Sequence, residues 1–170
     1  MIVPDSITLR GFLDEDFIQY KKPAMFLGTA TCDWKCCHDA GCDVSMCQNS
    51  PLANSPVHTV SYADLFDRYI HNPITTAIVV GGLEPFLQFE ELRGLIAYFR
   101  QKDCLDDFVI YTGYYPQELT QQLVSLRMLN TIYGGTIIIK FGRYVPGNAP
   151  VQDPVLGVTL ASSNQYAERL

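Results

Sequence analysis

Four short apolar runs punctuate the chain: AMFLG at 24–28, TTAIVV at 75–80, DFVIYT at 107–112 and TIIIKF at 136–141. Each is rich in branched and aromatic residues and lacks a strict apolar–polar alternation, which predicts strands buried on both faces of a parallel sheet. Between them the apolar period lengthens. SYADLFDRYIHN repeats Leu65, Phe66, Tyr69 and Ile70 at helical spacing, with Ser61 or Thr59 as the cap. FEELRGLIAYFRQKD sets Leu92, Leu95, Ile96 and Phe99 on one face, and PQELTQQLVSLRML opens a third helix at Pro116. Strands alternating with helices predict an α/β fold with a parallel sheet or a partial barrel. From Tyr144 onward Pro146, Pro150 and Pro154 interrupt the pattern. The segment 142–170 is therefore expected to be irregular, with VLGVTLA at 155–161 as one added edge strand.

In such folds chemistry collects where the strands end. The four runs are followed in turn by TATCDWKCC, GGLEPF, TGYY and GRYVPG. Reactive or glycine-rich loops thus gather at one sheet edge, as a single site requires.

Composition narrows the field. The 170 residues predict a single domain, 1–170; 48% are hydrophobic and 18% charged, a balance that folds without help from disulfides. The net charge of -6 and the lack of a basic stripe argue against a nucleic-acid partner. The start, MIVPDSITLRGFLDED, has no basic residues leading into an apolar core, which predicts no signal peptide. The longest apolar run, ITTAIVVGG, is too short to span a bilayer, so no membrane partner is expected. The expected location is cytoplasmic, where clustered cysteines point to metal or redox chemistry before disulfides.

That chemistry is concentrated in CDWKCCHDAGCDVSMCQN at 32–49, within a loop expected to run from 30 to 52. Cys32, Cys36, Cys37, Cys42 and Cys47 fall here, while Cys104 stands apart and reads as a small packing residue. Three readings are open. Zinc is one, although C-x₃-C and C-x₄-C spacings are not the paired short knuckles of structural zinc sites. A disulfide pair is the second, and an iron–sulfur cluster held by thiolates is the third. His38, His58 and His71 have no ligand spacing among themselves and read as solvated residues, with His38 kept as a minor candidate because it lies inside the loop.

Beyond spacing, several motifs carry a resemblance. Cys32-x₃-Cys36, then Cys47-Gln48-Asn49-Ser50-Pro51, resembles the opening of the radical S-adenosylmethionine enzymes. Within them it resembles the small activating enzymes of glycyl-radical proteins, whose third cysteine commonly begins C-H-N-P. Gly81-Gly82-Leu83-Glu84-Pro85 resembles their G-G-E-P loop with one residue inserted. Ile110-Tyr111-Thr112-Gly113-Tyr114 with Gln117-Glu118-Leu119 resembles a Y-T-G-Y…E-L stretch of the anaerobic ribonucleotide reductase activating enzymes. Gly142-Arg143-Tyr144, Asp153-Pro154 and Ser162-Ser163-Asn164-Gln165 resemble the G-R-F…K-D…G-S-S-N-Q ending of the same enzymes. The matches run in order from about 24 to 165. The chain departs from the family in three ways. Its cysteine spacing is C-x₃-C-x₁₀-C in place of C-x₃-C-x₂-C. FIQYKKPAM stands where many members carry D-G-P-G-x-R, and Lys140-Phe141 stand where an acidic residue is common.

The resemblance implies a partial parallel (β/α) barrel of the radical S-adenosylmethionine type. It implies a 4Fe–4S cluster on Cys32, Cys36 and Cys47, with the fourth iron open to the amine and carboxylate of S-adenosylmethionine. Reductive cleavage of that cofactor to a 5′-deoxyadenosyl radical would then activate a partner, a glycyl-radical enzyme such as anaerobic ribonucleotide reductase. An electron donor such as flavodoxin or ferredoxin is a further expected partner. Gly81, Gly82, Glu84, Thr112, Gly113 and Asn164 are the implied cofactor-binding residues, with Gln165 beside them. Glu84 would accept from the methionine ammonium; its plainer role is to start the next helix. Trp34 would shield the cluster or pack the loop. Asn164 would reach ribose or adenine or cap the C-terminal segment, and Arg143 would meet an anion or lie on the surface. The eight residues inserted before Cys47 are expected to leave the sheet at the mouth of the site, turning at Ala40-Gly41. The competing class is a non-catalytic metal-binding module, either zinc-stapled or an electron carrier with Cys37 or Cys42 as a fourth ligand.

Overall fold

The computed structural model describes residues 2–170. It is one α/β domain built on a seven-stranded sheet. In chain order the elements are β1 (Ser6–Asp16), β2 (Ala24–Thr29), α1 (Lys35–Ala40), α2 (Ser50–Ala53), β3 (His58–Ser61), α3 (Tyr62–Ile70), β4 (Ala77–Gly81), α4 (Phe89–Gln101), β5 (Asp107–Tyr111), α5 (Thr120–Tyr133), β6 (Ile137–Phe141), β7 (Val151–Asp153), β8 (Val158–Leu160) and β9 (Tyr166–Arg169). The order across the sheet is β3-β1-β2-β4-β5-β6-β9. The four runs expected as strands form its parallel centre, β2-β4-β5-β6.

The centre is apolar because it is covered on both faces. Alternate residues serve opposite layers. Ile78, Val80, Phe108, Ile110, Ile137 and Ile139 pack with Leu65, Leu92, Leu95, Phe99, Leu123 and Leu126 of the three long helices. Ala77, Val79, Val109 and Ile138 pack instead with Tyr20, Leu156 and Leu160 from the connecting segments. All three long helices therefore lie on one side. The parallel strands follow in sequence order, so every loop that leaves β2, β4, β5 and β6 opens at one edge.

At the flanks one strand is new and two expectations are corrected. The N-terminal run forms the longest strand, β1, antiparallel to both β2 and β3. Ile7 and Leu9 point inward while Ser6, Thr8 and Arg10 are partly exposed, the one-sided pattern of a flank strand. The tail expected to be irregular carries three strands. β7 and β8 pair as a separate hairpin, and β9 closes the row against β6. Pro116 opens a 3₁₀ turn over Pro116–Glu118, and α5 itself begins at Thr120. Of the two proposed caps for α3, Ser61 is the one, its Oγ accepting from Asp64 N at 3.0 Å. Among the described residues no helix is long and apolar enough to cross a membrane.

The cysteine-bearing loop is tied to this edge at both ends. Arg10 of β1 donates from Nε to Ala30 O at 2.7 Å and from Nη1 to Ser55 O at 2.6 Å. Leu52 of α2 then lies across a row of glycines. A Cβ at Gly28 would stand 3.1 Å from its Cδ2, and one at Gly82 only 2.4 Å from the same atom. Gly82 also has φ +81°, a backbone that side chains resist. Gly82→Ala should cost about 1–2 kcal/mol for the left-handed backbone alone, with the steric conflict added. In denaturant titrations the Leu52→Ala, Gly82→Ala double variant should lose less stability than the sum of the singles. Strict additivity would mean that Leu52 does not press on this glycine.

Candidate metal centre

Each sheet-edge loop contributes to one cluster of side chains. After β2 the chain passes Cys32 and reaches Trp34, whose φ of 60° is left-handed. That bend lets the Trp34 N–H donate to Cys32 Sγ at 3.3 Å and starts α1 at the following residue. A bulky residue in this region is unusual and marks a constrained backbone between the first two cysteines. Cys36 follows on α1. Gly41, also left-handed, ends the helix, so the turn expected at Ala40-Gly41 is made there. A 3₁₀ turn over Val44–Met46 leads to Cys47, and the whole excursion stays outside the sheet.

Cys32, Cys36 and Cys47 are all partly exposed free thiols, whereas Cys37 is buried. The charge of Cys36 is felt weakly at Cys32, and that of Cys47 weakly at Cys36. Burial pushes the Cys32 thiol up to about 12, against the opposing Trp34 N–H. Burial raises Cys36 as well, opposed by the Tyr144 N–H bonded to its sulfur and by Lys140 and Arg143. In the metal-free chain these thiols keep their protons, and a bound metal centre must displace them. A Cβ at Gly113 would stand 3.0 Å from Cys36 Sγ, so only glycine leaves this side of the thiol open.

Glu84 joins the second and third loops. Its carboxylate is buried, 5% exposed, and is held from both sides. Oε1 accepts from Phe86 N at 3.0 Å, capping the 3₁₀ turn over Pro85–Gln88. Thr112 Oγ1 lies 2.8 Å from Oε1 and 2.9 Å from Oε2, and Gly113 N donates to Oε2 at 3.0 Å. The turn-starting role is therefore real, and the same carboxylate also reaches across to the end of β5. Glu84, Thr112 and Gly113 meet here beside Cys36, three implied cofactor-binding residues with one implied ligand.

The remaining implied residues serve the surroundings. The space above Gly82 is filled by Leu52, and that above Gly81 by Tyr111, whose Cβ would be 3.0 Å from an added Cβ. Asn164 Nδ2 donates to Arg143 O at 2.7 Å and to Tyr115 Oη at 3.0 Å, so it pins the loop after β6. Gln165 does the same through Gly142 O at 3.2 Å.

Two residues stand out that sequence reasoning missed or misjudged. Lys140, noted only as a departure from an acidic pattern, is buried in β6 and donates to Gly142 O at 3.0 Å and Thr112 O at 3.3 Å. Burial lowers it to about 8, opposed by the nearby Cys36 and Glu84. A lone lysine inside an apolar strand was the available signal, because an unpaired buried cation is costly. Arg143 is not on the surface: it is 8% exposed. Its Nη2 donates to Glu118 Oε1 at 2.6 Å, which holds the Glu118 carboxyl down to about 2. Asp39 of α1 stands 3.0 Å from Arg143 Nε at ion-pair distance but without hydrogen-bond alignment, leaving that nitrogen unpartnered. A cleft of about 110 Å³ opens beside this pair, lined by Asp39, Tyr115, Arg143 and Tyr144 among others.

The donor set suits an iron–sulfur cluster. Three partly exposed thiols lie on the loop that leaves β2, and Gly113 keeps one side of Cys36 open. Backbone N–H groups point at two of the sulfurs, and two cations lie near the middle one; such contacts tune clusters. Among the described residues no three His, Cys, Asp or Glu side chains converge to hold a single metal ion. A cubane asks for something else, one thiolate to each of several irons.

Burial lifts the Glu84 carboxyl from about 4.5 to about 7. Over that interval the folded chain keeps a proton that the unfolded chain has released, so stability falls as pH rises through it. Glu84→Gln cannot ionise. Thermal midpoints measured from about pH 4.5 to about pH 7 should decline less steeply in the variant. The slope is the quantity to read, because lost hydrogen bonds shift the variant equally at every pH. Parallel slopes would mean that Glu84 titrates at its ordinary value.

Comparisons with known proteins agree with this chemistry. Searches of curated proteins and of solved structures return no match. The family model described as a 4Fe-4S single cluster domain matches residues 24–150, from the first parallel strand to past the Arg143 loop. That span contains all six cysteines, Glu84, Thr112 and Gly113. The chain belongs to the 4Fe-4S single cluster domain family.

Proposed function

We propose that the protein is a radical S-adenosylmethionine oxidoreductase, with Cys32, Cys36 and Cys47 holding a 4Fe–4S cluster. The observation that carries this reading is the meeting of Glu84, Thr112 and Gly113 beside Cys36. A cluster on Cys32, Cys36 and Cys47 would supply one-electron chemistry for reductive cleavage of S-adenosylmethionine to a 5′-deoxyadenosyl radical, and so for activation of a glycyl-radical enzyme such as anaerobic ribonucleotide reductase. The chain's own residues do the rest. The three cysteines bind and fix the centre. Gly113 keeps one side of it open. Glu84 offers a preorganised carboxylate to a cationic ammonium, and Thr112 holds that carboxylate in place. Lys140 and Arg143 offset the negative charge that thiolates bring into a partly buried site. The parallel strands β2, β4, β5 and β6, with their helices on one side, are the portion of the fold that a partial barrel of this type would use. The electron would come from a donor such as flavodoxin or ferredoxin, and the protein would work in the cytoplasm.

A second reading has an observation in its favour. Cys37 lies close enough to Cys36 and Cys47 to feel both charges, as a fourth ligand of an electron-transfer module would. In that case Glu84 only caps its turn.

Anaerobic reconstitution followed by reduction with dithionite and S-adenosylmethionine separates the two. The proposed enzyme forms 5′-deoxyadenosine; a four-thiolate carrier forms none. Iron content should fall in Cys32→Ala, Cys36→Ala and Cys47→Ala and stay at the wild-type level in Cys37→Ala and Cys42→Ala. Full iron in Cys47→Ala with loss in Cys42→Ala would move the third ligand to Cys42. Glu84→Ala should keep its iron but bind S-adenosylmethionine roughly tenfold or more weakly by calorimetry, the scale of one charge-assisted hydrogen bond. Unchanged affinity would return Glu84 to turn capping alone.

A further inference from the structure

The loop holds a second pair of thiols whose arrangement the cluster does not explain. Cys36 and Cys37 are adjacent on α1, so their side chains leave the helix roughly 100° apart. Cys36 faces Gly113 and the Tyr144 N–H. Cys37 turns inward, 3% exposed, and burial first, then the neighbouring Cys42 thiol, push its thiol up to about 11. The backbone brings them together. Gly41, in the left-handed region, reverses the chain, and Cys42 N donates to Cys37 O at 3.0 Å. The residues between them, His38 to Gly41, are exposed. Cys42 is the more accessible of the two.

We propose that Cys37 and Cys42 form a redox-active dithiol, distinct from the cluster ligands, which hydrogen peroxide closes to a reversible Cys37–Cys42 disulfide. The proposal rests on the reading that neither is a ligand. The backbone bond across this turn brings the two residues close together, the first geometric demand on a disulfide. The step balances as two thiols and one peroxide giving one disulfide and two waters. The exposed Cys42 sulfur attacks a peroxide oxygen, the O–O bond breaks and the first water leaves, giving a sulfenic acid. The Cys37 sulfur then displaces the hydroxyl, which departs as the second water with the thiol proton. The sulfurs have together given two electrons to the peroxide. A dithiol reductant reverses the bond by exchange. Cys37 shares α1 with Cys36, so the disulfide fixes the helix that carries a cluster ligand.

The test uses the full-length chain, metal-free and cluster-loaded, treated with hydrogen peroxide, alkylated and cut on the N-terminal side of aspartate. Asp33, Asp39 and Asp43 then bound two peptides, 33–38 and 39–42. Tandem mass spectrometry should find them joined through Cys37 and Cys42. The metal-free protein should lose two of its six titratable thiols and regain them with dithiothreitol. Cys37→Ser and Cys42→Ser should each abolish the link while binding iron like the wild type. Oxidation that joins Cys36 to Cys47, or that consumes thiols without any 37–42 link while both variants keep their iron, overturns this proposal and leaves the ligand assignment standing. Loss of iron in either serine variant overturns both.

Discussion

The buried carboxylate of Glu84 is the constraint on which the site depends. A carboxylate removed from water needs donors on every side, or it takes a proton. Here the donors come from two different strand ends: Phe86 N in its own turn, and Thr112 Oγ1 and Gly113 N beyond β5. Satisfying one charge therefore locks two loops together. The second of these loops is the one that must contain glycine, because a side chain there would press on Cys36. The position of the thiol loop is in this sense coupled to the protonation and hydrogen bonding of a residue outside it.

Around that carboxylate the sheet edge is a layered set of charges. Lys140 lies beneath it, bonded to the carbonyls of Thr112 and Gly142. Arg143 lies to one side, stacked near the Tyr114 and Tyr115 rings and paired with Glu118. Asp33, on the loop between Cys32 and Cys36, accepts from Tyr114 Oη. Each of these contacts joins the cysteine loop, or the strand end facing it, to a neighbouring strand. Lys140 and Arg143 both lie near Cys36 and favour negative charge on its sulfur. An α1 held by Lys35 and Asp39 to Glu118 and Arg143 keeps Cys36 from drifting when the chain is metal-free.

The centre of the fold was legible because it is simple physics. Strands buried on both faces must be mainly apolar, and 24–28, 75–80, 107–112 and 136–141 are, Lys140 being the one lysine or arginine among them. The flanks were harder to read. β1 alternates only from Ser6 to Arg10 before Gly11-Phe12-Leu13 break the pattern, and β9, YAER, has no strand-like run at all. β9 exists because β6 offers it a backbone edge, a cause that lies outside its own sequence. At the sheet edge, the placement of the cysteine loop and of Glu84 was legible from residue type and loop position. Lys140 was hidden because its signal is a polar residue in a place that should be apolar, and Arg143 because sequence alone cannot show that an arginine is covered. Asn164 was legible as a polar residue at the sheet edge, and in the chain its amide fastens the loop after β6.

The central claim is that a cofactor with an ammonium and a carboxylate binds at this edge in direct contact with a three-thiolate cluster. Electron paramagnetic resonance of the reconstituted, reduced protein tests it most directly, recorded with and without S-adenosylmethionine. The account predicts that the cofactor changes the g-values of the reduced cluster, and that the change is lost or weakened in Glu84→Ala at the same iron content. A cluster signal indifferent to S-adenosylmethionine in the wild-type protein would contradict it.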